Sequence, residues 1–420
     1  MNPFYNAGIA AYSAAVHLAA VRSPKAARMT EGQRSSLARL EREAREVAPH
    51  GYDLWLHAAS LGEFEQGRPL LERVRREHPE ARVLLSFFSP SGYEVRKDCP
   101  LADTVVYLPF DRPRLVRRFL DAARPRCAVF VKYEFWGNFI TELHRRKVPV
   151  YLISAIFRPS QIFFRPWGGT FRRILRCYTK IFVQDENSKR LLASVGVDNV
   201  AVAGDTRFDR VSEIMRNAKD LPEIKEFCGN SEFTLVAGSS WPPDEDVYID
   251  WLHAHPGAKA ICAPHEFDGR RLDALLRRFG EGAILYSELK KGAVPAADVR
   301  YIIVDCFGLL SSLYRYGDAA LIGGGFGVGI HNLNEAAVYG IPVVFGPNHS
   351  KFKEAGDLIE CRGGMCMHDT GEGRAILTRL YDDPAMRRAC GVNAGKYIKD
   401  NIGATDLIYE EISQNILKHD

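Results

Sequence analysis

The sequence predicts an α/β protein made of two doubly wound domains, and three observations lead there. Short apolar runs alternate with charged, helix-like segments along almost the whole chain, the pattern of a parallel sheet covered by helices on both faces. A length of 420 residues exceeds what one hydrophobic core usually serves and suits two. Two series of apolar runs are separated by VAGDTRFDRVSEI, a Gly/Asp turn leading into a charged helix, which places the boundary close to residue 206.

The chain opens on AGIAAYSAAVHLAAV (7–21), apolar but alanine-rich. It is short for a membrane span, which needs about 20 strongly apolar residues, and it lacks the basic leader of a signal peptide. Arg22, Lys25 and Arg28 follow it. Two readings stay open: a helix lying in a membrane surface with its cations on lipid headgroups, or a helix packed on the first domain.

Six runs in the first half read as strands: LWLHAA (54–59), RVLLSFF (82–88), TVVYLP (104–109), CAVFVKY (127–133), VPVYLISA (148–155) and KIFVQ (180–184). Five follow in the second half: FTLVAGS (233–239), KAICAP (259–264), YIIVDC (301–306), AALIGGG (319–325) and IPVVFG (341–346). The closing DLIYEEISQNILKH is an amphipathic helix. Doubly wound sheets bind ligands outside the carboxyl ends of their strands, so two such domains are expected to face a central cleft that holds the ligand.

Composition narrows the function classes. A hydrophobic fraction of 46% and a charged fraction of 26% are ordinary for a globular protein. The formal net charge of +4 is small, and no concentrated basic face argues for a nucleic-acid partner. The nine cysteines are odd in number and widely spaced, with no CxxC, which fits neither a disulfide framework nor a zinc site and suits a reducing compartment.

Chemistry is therefore sought in the strand-end loops. In HAASLGE (57–63) the apolar run stops, Gly62 permits a tight turn, and Glu63 falls in the first turn of the next helix, where the dipole favours an ionised carboxylate. Glu63 reads either as a helix-stabilising acid or as a general base, and His57, inside the strand, as a packed histidine. Ser89, Ser91 and Gly92 make either a backbone-amide anion site or an ordinary N-cap. In VKYEFWGNF, Lys132 and Glu134 flank Tyr133 at the end of the fourth run, a charged pair beside Trp136 that is odd for a pure core element; a surface ion pair is the plain alternative. Between 157 and 176, five arginines interleave with Phe157, Phe163, Phe164, Trp167 and Phe171, which suits an anionic, partly apolar partner or else a solvated basic helix. LIGGGFGVGIHNLNEAA carries five glycines within 323–329 before a helix expected near Asn332, a candidate phosphate loop. It does not spell GxGxxG in either register, and no Walker pattern occurs.

Taken in order, these loops resemble the Kdo transferases, which move 3-deoxy-D-manno-oct-2-ulosonic acid from CMP-Kdo onto lipid A precursor in lipopolysaccharide synthesis. The resemblance rests on HAASLGE, FFSPSGYE (87–94), EFW (134–136), AGDTRFD (203–209), AGSSWPPDE (237–245), NLNEAA (332–337) and GIPVVFGP, and runs over nearly the whole chain. It implies a GT-B fold, two Rossmann-like domains with a membrane-proximal N-terminal helix. The expected division is a membrane-associating segment at 1–30, an acceptor-binding domain at 31–206 and a CMP-Kdo-binding domain at 207–420, whose terminal helix crosses back to the first.

The same resemblance implies the site. Glu63 matches the family's general base. Glu134 matches a group that stabilises the transition state, and Arg207 stands where the family normally has a lysine for that purpose. Pro264, His265, Phe307, Gly308, Leu309, Asn332, Leu333, Asn334 and Glu335 match the CMP site. A phosphate-facing arginine is replaced at Pro264-His265-Glu266, and Arg270 or Arg271 is expected to compensate. The implied reaction inverts the anomeric carbon and needs no cofactor or metal, with helix amides near Asn332 and basic side chains holding the leaving phosphate. The glycolipid acceptor favours attachment of the N-terminal segment to the cytoplasmic face of the cell inner membrane, with the 157–176 stretch facing the lipid. Another GT-B transferase or a sugar-nucleotide epimerase would share these features, and CMP-Kdo tested against UDP-sugars separates them. A non-catalytic binding module would tolerate loss of Glu63.

Overall fold

The computed structural model of the protein describes residues 3–229, 231–292 and 299–416. The chain forms two compact units, Met1–Arg210 with Ile402–Asp420, and Val211–Asn401. Among the described residues the first unit holds seven strands: β1 Leu54–Ala58, β2 Val83–Phe87, β3 Thr104–Tyr107, β4 Cys127–Val131, β5 Val150–Ala155, β6 Lys180–Val183 and β7 Val200–Val202. They lie all parallel in the order β3-β2-β1-β4-β5-β6-β7. The strand order reverses between β1 and β4, which makes their carboxyl ends the topological switch point.

The second unit repeats the plan with β8 Phe233–Ser240, β9 Ala258–Pro264, β10 Ala283–Leu285, β11 Tyr301–Ile303, β12 Ala319–Ile322, β13 Val343–Phe345 and β14 Gly364–Cys366. Its parallel order is β10-β11-β9-β8-β12-β13-β14, with the switch between β8 and β12. Every apolar run read from the sequence contains a strand. The three strands beyond those runs, β7, β10 and β14, have three residues each and stand at sheet edges, too short to show a run or an alternation.

Central strands are apolar on both faces because helices cover both. In β1, Leu54, Leu56 and Ala58 enter one core layer and Trp55 enters the other. Trp55 is fully buried among Phe119, Phe130 and Phe139, with ring centroids 4.9, 5.2 and 5.6 Å away. The helix Ala404–Ile416 adds Ile408, Ile412 and Ile416 to the first unit's core. Asp209 fixes its start, accepting from Gly403 N at 2.6 Å and Thr405 N at 2.7 Å. Residues 417–419 of the segment read as an amphipathic helix lie outside the described residues.

The N-terminal segment forms a helix, Pro3–Ala19, followed by Pro24–Glu46, which Ser23 caps. The first of these packs on the first unit: Tyr5 Oη donates to Asp111 Oδ2 at 2.6 Å and accepts from Gly137 N at 2.9 Å, and Tyr12 stacks on Phe88. It also leaves Phe4, Leu18 and Val21 exposed. No helix among the described residues is long and apolar enough to cross a membrane.

Candidate active site

In the first unit, Glu63 and Glu134 follow the two strands that flank the switch point. Glu63 lies in the first turn of the helix Leu61–Glu77, half-buried, and accepts a hydrogen bond from the Ser60 hydroxyl. Gly62 makes no tight turn there; it already belongs to the helix. A side chain at Gly62 would meet only Ser60 Oγ, at 3.8 Å, so glycine leaves bare space beside Glu63. Ser89 caps the helix Pro90–Arg96 through Ser91 N, which settles that loop as an N-cap.

β4 does not continue to Tyr133. It ends at Val131, and Lys132 takes a left-handed φ of 68°, so strand alternation does not set the directions of Lys132 and Glu134. Nor is Glu134 half of a surface ion pair. It is buried, and its Oε2 lies 2.9 Å from His57 Nε2 and accepts from Trp136 Nε1 at 2.5 Å. Tyr178 Oη donates to the Glu134 carbonyl at 2.8 Å.

Arg207 begins the helix Arg207–Arg216 and pairs with Asp205, Nη2 to Oδ2 at 2.8 Å. Tyr133 reports how these groups converge. Burial raises its hydroxyl pKa first; Arg158 and Arg207 then lower it, and Glu63 raises it. Glu63, Arg158 and Arg207 thus all act electrostatically on one phenol. Tyr133 and Asp205 are not singled out by the sequence, where their only signal is adjacency to candidate residues. The arginine–aromatic stretch is less outward than expected: Phe157 and Phe163 are buried, while Trp167 is exposed.

In the second unit the candidate donor residues follow β9, β11 and β12, of which β9 and β11 are neighbours while β8 separates β9 from β12. Pro264 closes β9, residues 307–309 follow β11, and residues 332–335 follow β12. His265 is exposed and stacks on Trp241, centroids 4.5 Å apart, and against His331 at 4.7 Å. Burial, then His265, lowers the His331 pKa, so this ring favours its neutral form. Phe307 is exposed beside Phe267, Gly308 takes φ 78°, and Leu309 is buried. Asn332 Oδ1 accepts from Asn334 N at 3.2 Å, and Asn332 Nδ2 donates to Glu335 Oε1 at 3.0 Å. Asn334 is fully buried, and neither of its amide atoms has a protein partner.

Three expectations are sharpened here. The helix near Asn332 is a single turn, Asn334–Ala337, too short to supply the row of aligned amides expected for a phosphate. The glycine-rich stretch is shaped largely by its own packing: a side chain at Gly325 would lie 2.5 Å from Gly346, and Gly324 has φ 90°. Of the two arginines expected to compensate, Arg271 is committed to buried Glu245, which leaves Arg270 exposed for that role. The sequence also contains an Asp-x-Asp spacing at Asp244–Asp246, a pattern that elsewhere can hold a metal. Asp244 Oδ2 accepts from Trp241 N and Gly324 N, both at 2.9 Å, and Asp246 pairs with Arg278, so this acidic pair braces the loop.

Comparison with known proteins follows the same division. Residues 26–210 match the family model described as 3-deoxy-D-manno-octulosonic-acid transferase (kdotransferase). A 3-deoxy-D-manno-octulosonic acid transferase of Chlamydophila psittaci is 27% identical over 391 residues, covering 88% of this chain and 87% of that protein. One from Aquifex aeolicus is 29% identical over 318 residues, covering 74% and 80%. Residues 26–210 therefore carry the Kdo transferase family domain, and the likeness to Kdo transferases runs over most of the chain. The chain is thus a glycosyltransferase. Its fold also superposes on UDP-GlcNAc 2-epimerase from Neisseria meningitidis bound to UDP-GlcNAc, with a TM-score of 0.59, 15% identity, and 86% and 99% of the two chains covered. That likeness concerns the fold, two Rossmann-like units of the GT-B class. Within this Kdo transferase fold, the family match spans the unit that carries Glu63, Glu134 and Arg207.

Proposed function

We propose that the chain transfers Kdo from CMP-Kdo to a lipid A precursor of the lipid IV-A kind, inverting the anomeric carbon. Glu63 removes the proton from an acceptor sugar hydroxyl. The oxygen bonds to the anomeric carbon of Kdo as the bond to the cytidylate phosphate breaks, and CMP leaves with that electron pair. Positioned proton abstraction of this kind contributes roughly 10²–10⁴-fold. Glu134 and Arg207 stabilise the charges that develop, the carboxylate facing a centre of oxocarbenium character. His265, Phe307–Leu309 and Asn332–Glu335 hold the cytidylate, with Arg270 the remaining cation for its phosphate.

The observation that carries this reading is Glu63 itself: a half-buried carboxylate at a helix start, beside the switch point, with open space at Gly62. Membrane-surface attachment at the cytoplasmic face of the inner membrane belongs to the same proposal, supported by exposed Phe4, Leu18, Val21 and Trp167 and the basic residues that follow the first helix.

The test is transfer from CMP-Kdo to lipid IV-A, with products read by mass spectrometry. Glu63→Ala is expected to abolish transfer while CMP-Kdo still binds. Transfer at near wild-type rate by that variant would remove Glu63 as the base, and an inert wild-type chain that accepts UDP-sugars would overturn the donor assignment.

A further inference from the structure

His57 is fully buried near the carboxyl end of β1, where a histidine ring in an apolar layer is ordinarily inert filling. Its neighbours show something more specific. The register places Ser86 of β2 beside it on one side and Phe130 of β4 on the other. Ser86 Oγ lies 2.8 Å from Nδ1 and also accepts the indole N–H of Trp55 at 2.8 Å. On the far side of the ring, Nε2 faces Glu134 Oε2 at 2.9 Å.

Ser86 presents two groups to Nδ1, its hydroxyl at 2.8 Å and its own carbonyl at 3.1 Å. An indole nitrogen can only donate, so Ser86 Oγ receives the Trp55 proton and has its own to give. A neutral ring accepts that proton at Nδ1, and a protonated ring donates from Nδ1 to the carbonyl; in both states Nε2 carries the N–H that meets Glu134 Oε2, which also accepts from Trp136. Trp55, Ser86, His57 and Glu134 thus form one chain of hydrogen bonds from the core to the strand ends.

From this chain of hydrogen bonds we infer that His57 is a positioning residue for the transfer reaction: with Ser86 fixing its tautomer, it holds Glu134 ionised and aimed. The inference rests on the proposed role of Glu134 in stabilising the transition state. A carboxylate that acts on developing positive charge must be both charged and immobile before the charge appears. Burial alone works against the charge. Two N–H donors on Oε2 offset that, and the Tyr178 bond to the Glu134 carbonyl fixes the backbone beneath it.

Other titratable groups press on the same carboxylate. Tyr12, from the first helix, and Tyr178 both have hydroxyls raised by burial first and by Glu134 next. Asp111 stands behind Tyr5 and Tyr178, with its own pKa raised by burial to about 6. An acid limb from Asp111 is common to the wild type and to every His57 variant, so a difference between them belongs to the His57–Glu134 contact.

The test compares His57→Leu, His57→Gln and Ser86→Ala in the full chain, with Glu134→Gln as the reference and thermal unfolding as the check that each variant folds. His57→Leu removes the donor. Its kcat is expected to fall roughly 10- to 100-fold, the effect of losing a hydrogen bond to a charged group, with the KM for CMP-Kdo unchanged and the acid limb of kcat moved to higher pH. His57→Gln keeps an N–H for Glu134 and is expected to recover most of the rate. Ser86→Ala keeps the ring but frees its tautomer, and is expected to shift the acid limb the same way by a smaller amount. A role in packing alone would leave the acid limb in place and would not let Gln outperform Leu; that result overturns the inference. A Glu134→Gln enzyme at wild-type rate overturns the role of Glu134 and the inference with it. An inactive Glu134→Gln beside a His57→Leu at wild-type rate overturns the inference alone.

Discussion

Arg207 is clamped by Asp205, two residues before it in the chain. Its Nε lies 2.9 Å from Asp205 Oδ2, and the other oxygen of that carboxylate accepts from Gln66 Nε2 at 3.0 Å, on the helix that carries Glu63. The cation's direction is thereby tied to the helix of the general base. A lysine offers a point charge and cannot reproduce the two-point contact that Nε and Nη2 make. Arg207→Lys is expected to lower kcat about tenfold and Arg207→Ala further. Asp205→Asn should fall between them, because the guanidinium remains but its direction is loosened. Steady-state transfer rates decide this, and an Arg207→Lys enzyme at wild-type rate would show that charge alone suffices.

Asp111 predicts a pH dependence of stability. Burial, the largest influence, pushes its pKa from 3.8 up to about 6, against the hydrogen bonds from Tyr5, Asn138 N and Phe139 N that favour the anion. A carboxyl whose folded-state pKa is raised binds its proton more tightly in the folded chain. Its favourable contribution is present below the unfolded pKa near 4 and is lost as pH rises through about 6. A proton held that much more tightly is worth about 3 kcal/mol. Urea unfolding of the first unit, followed at pH 4 and pH 7, should show the wild type losing about that much relative to Asp111→Asn. Parallel pH profiles for the two would show that Asp111 carries no such linkage.

The end of the first helix predicts how the chain meets a lipid surface. Leu18 is 75% exposed and Val21 84% exposed, and Arg22, Lys25 and Arg28 follow them along the chain. Apolar side chains that enter a bilayer interface while cations meet anionic headgroups give affinity that falls with salt. Leu18→Ser with Val21→Ser is expected to weaken binding to phosphatidylglycerol vesicles about tenfold or more, without changing thermal unfolding, since neither side chain is packed. Sedimentation with vesicles reads the outcome, and unchanged binding would place the contact elsewhere.

How much of this was legible in the sequence depends on distance along the chain. The apolar runs announced the central strands because a sheet covered on both faces needs side chains such as Leu56, Val129 and Ile153 to be apolar whichever way they point. Glu63 was legible because strand end, helix start and carboxylate are consecutive. The partner of Glu134 was not. His57 precedes it by 77 residues, and they meet because β4 pairs with β1, an order that no local periodicity encodes. The glycines at 323–329 carried a mixed signal: Gly323 and Gly325 sit where neighbouring backbone packs against them, while Gly327 has open space beside it.

The first unit's core contains Ile408, Ile412 and Ile416, each with at most 2% of its surface exposed. Full burial of such a side chain contributes roughly 1.5–3 kcal/mol. These residues come after the whole of the second unit in the chain. The second unit is thus one continuous stretch of chain, while the first is assembled from two stretches on either side of it, and its core is complete only when the helix Ala404–Ile416 is in place.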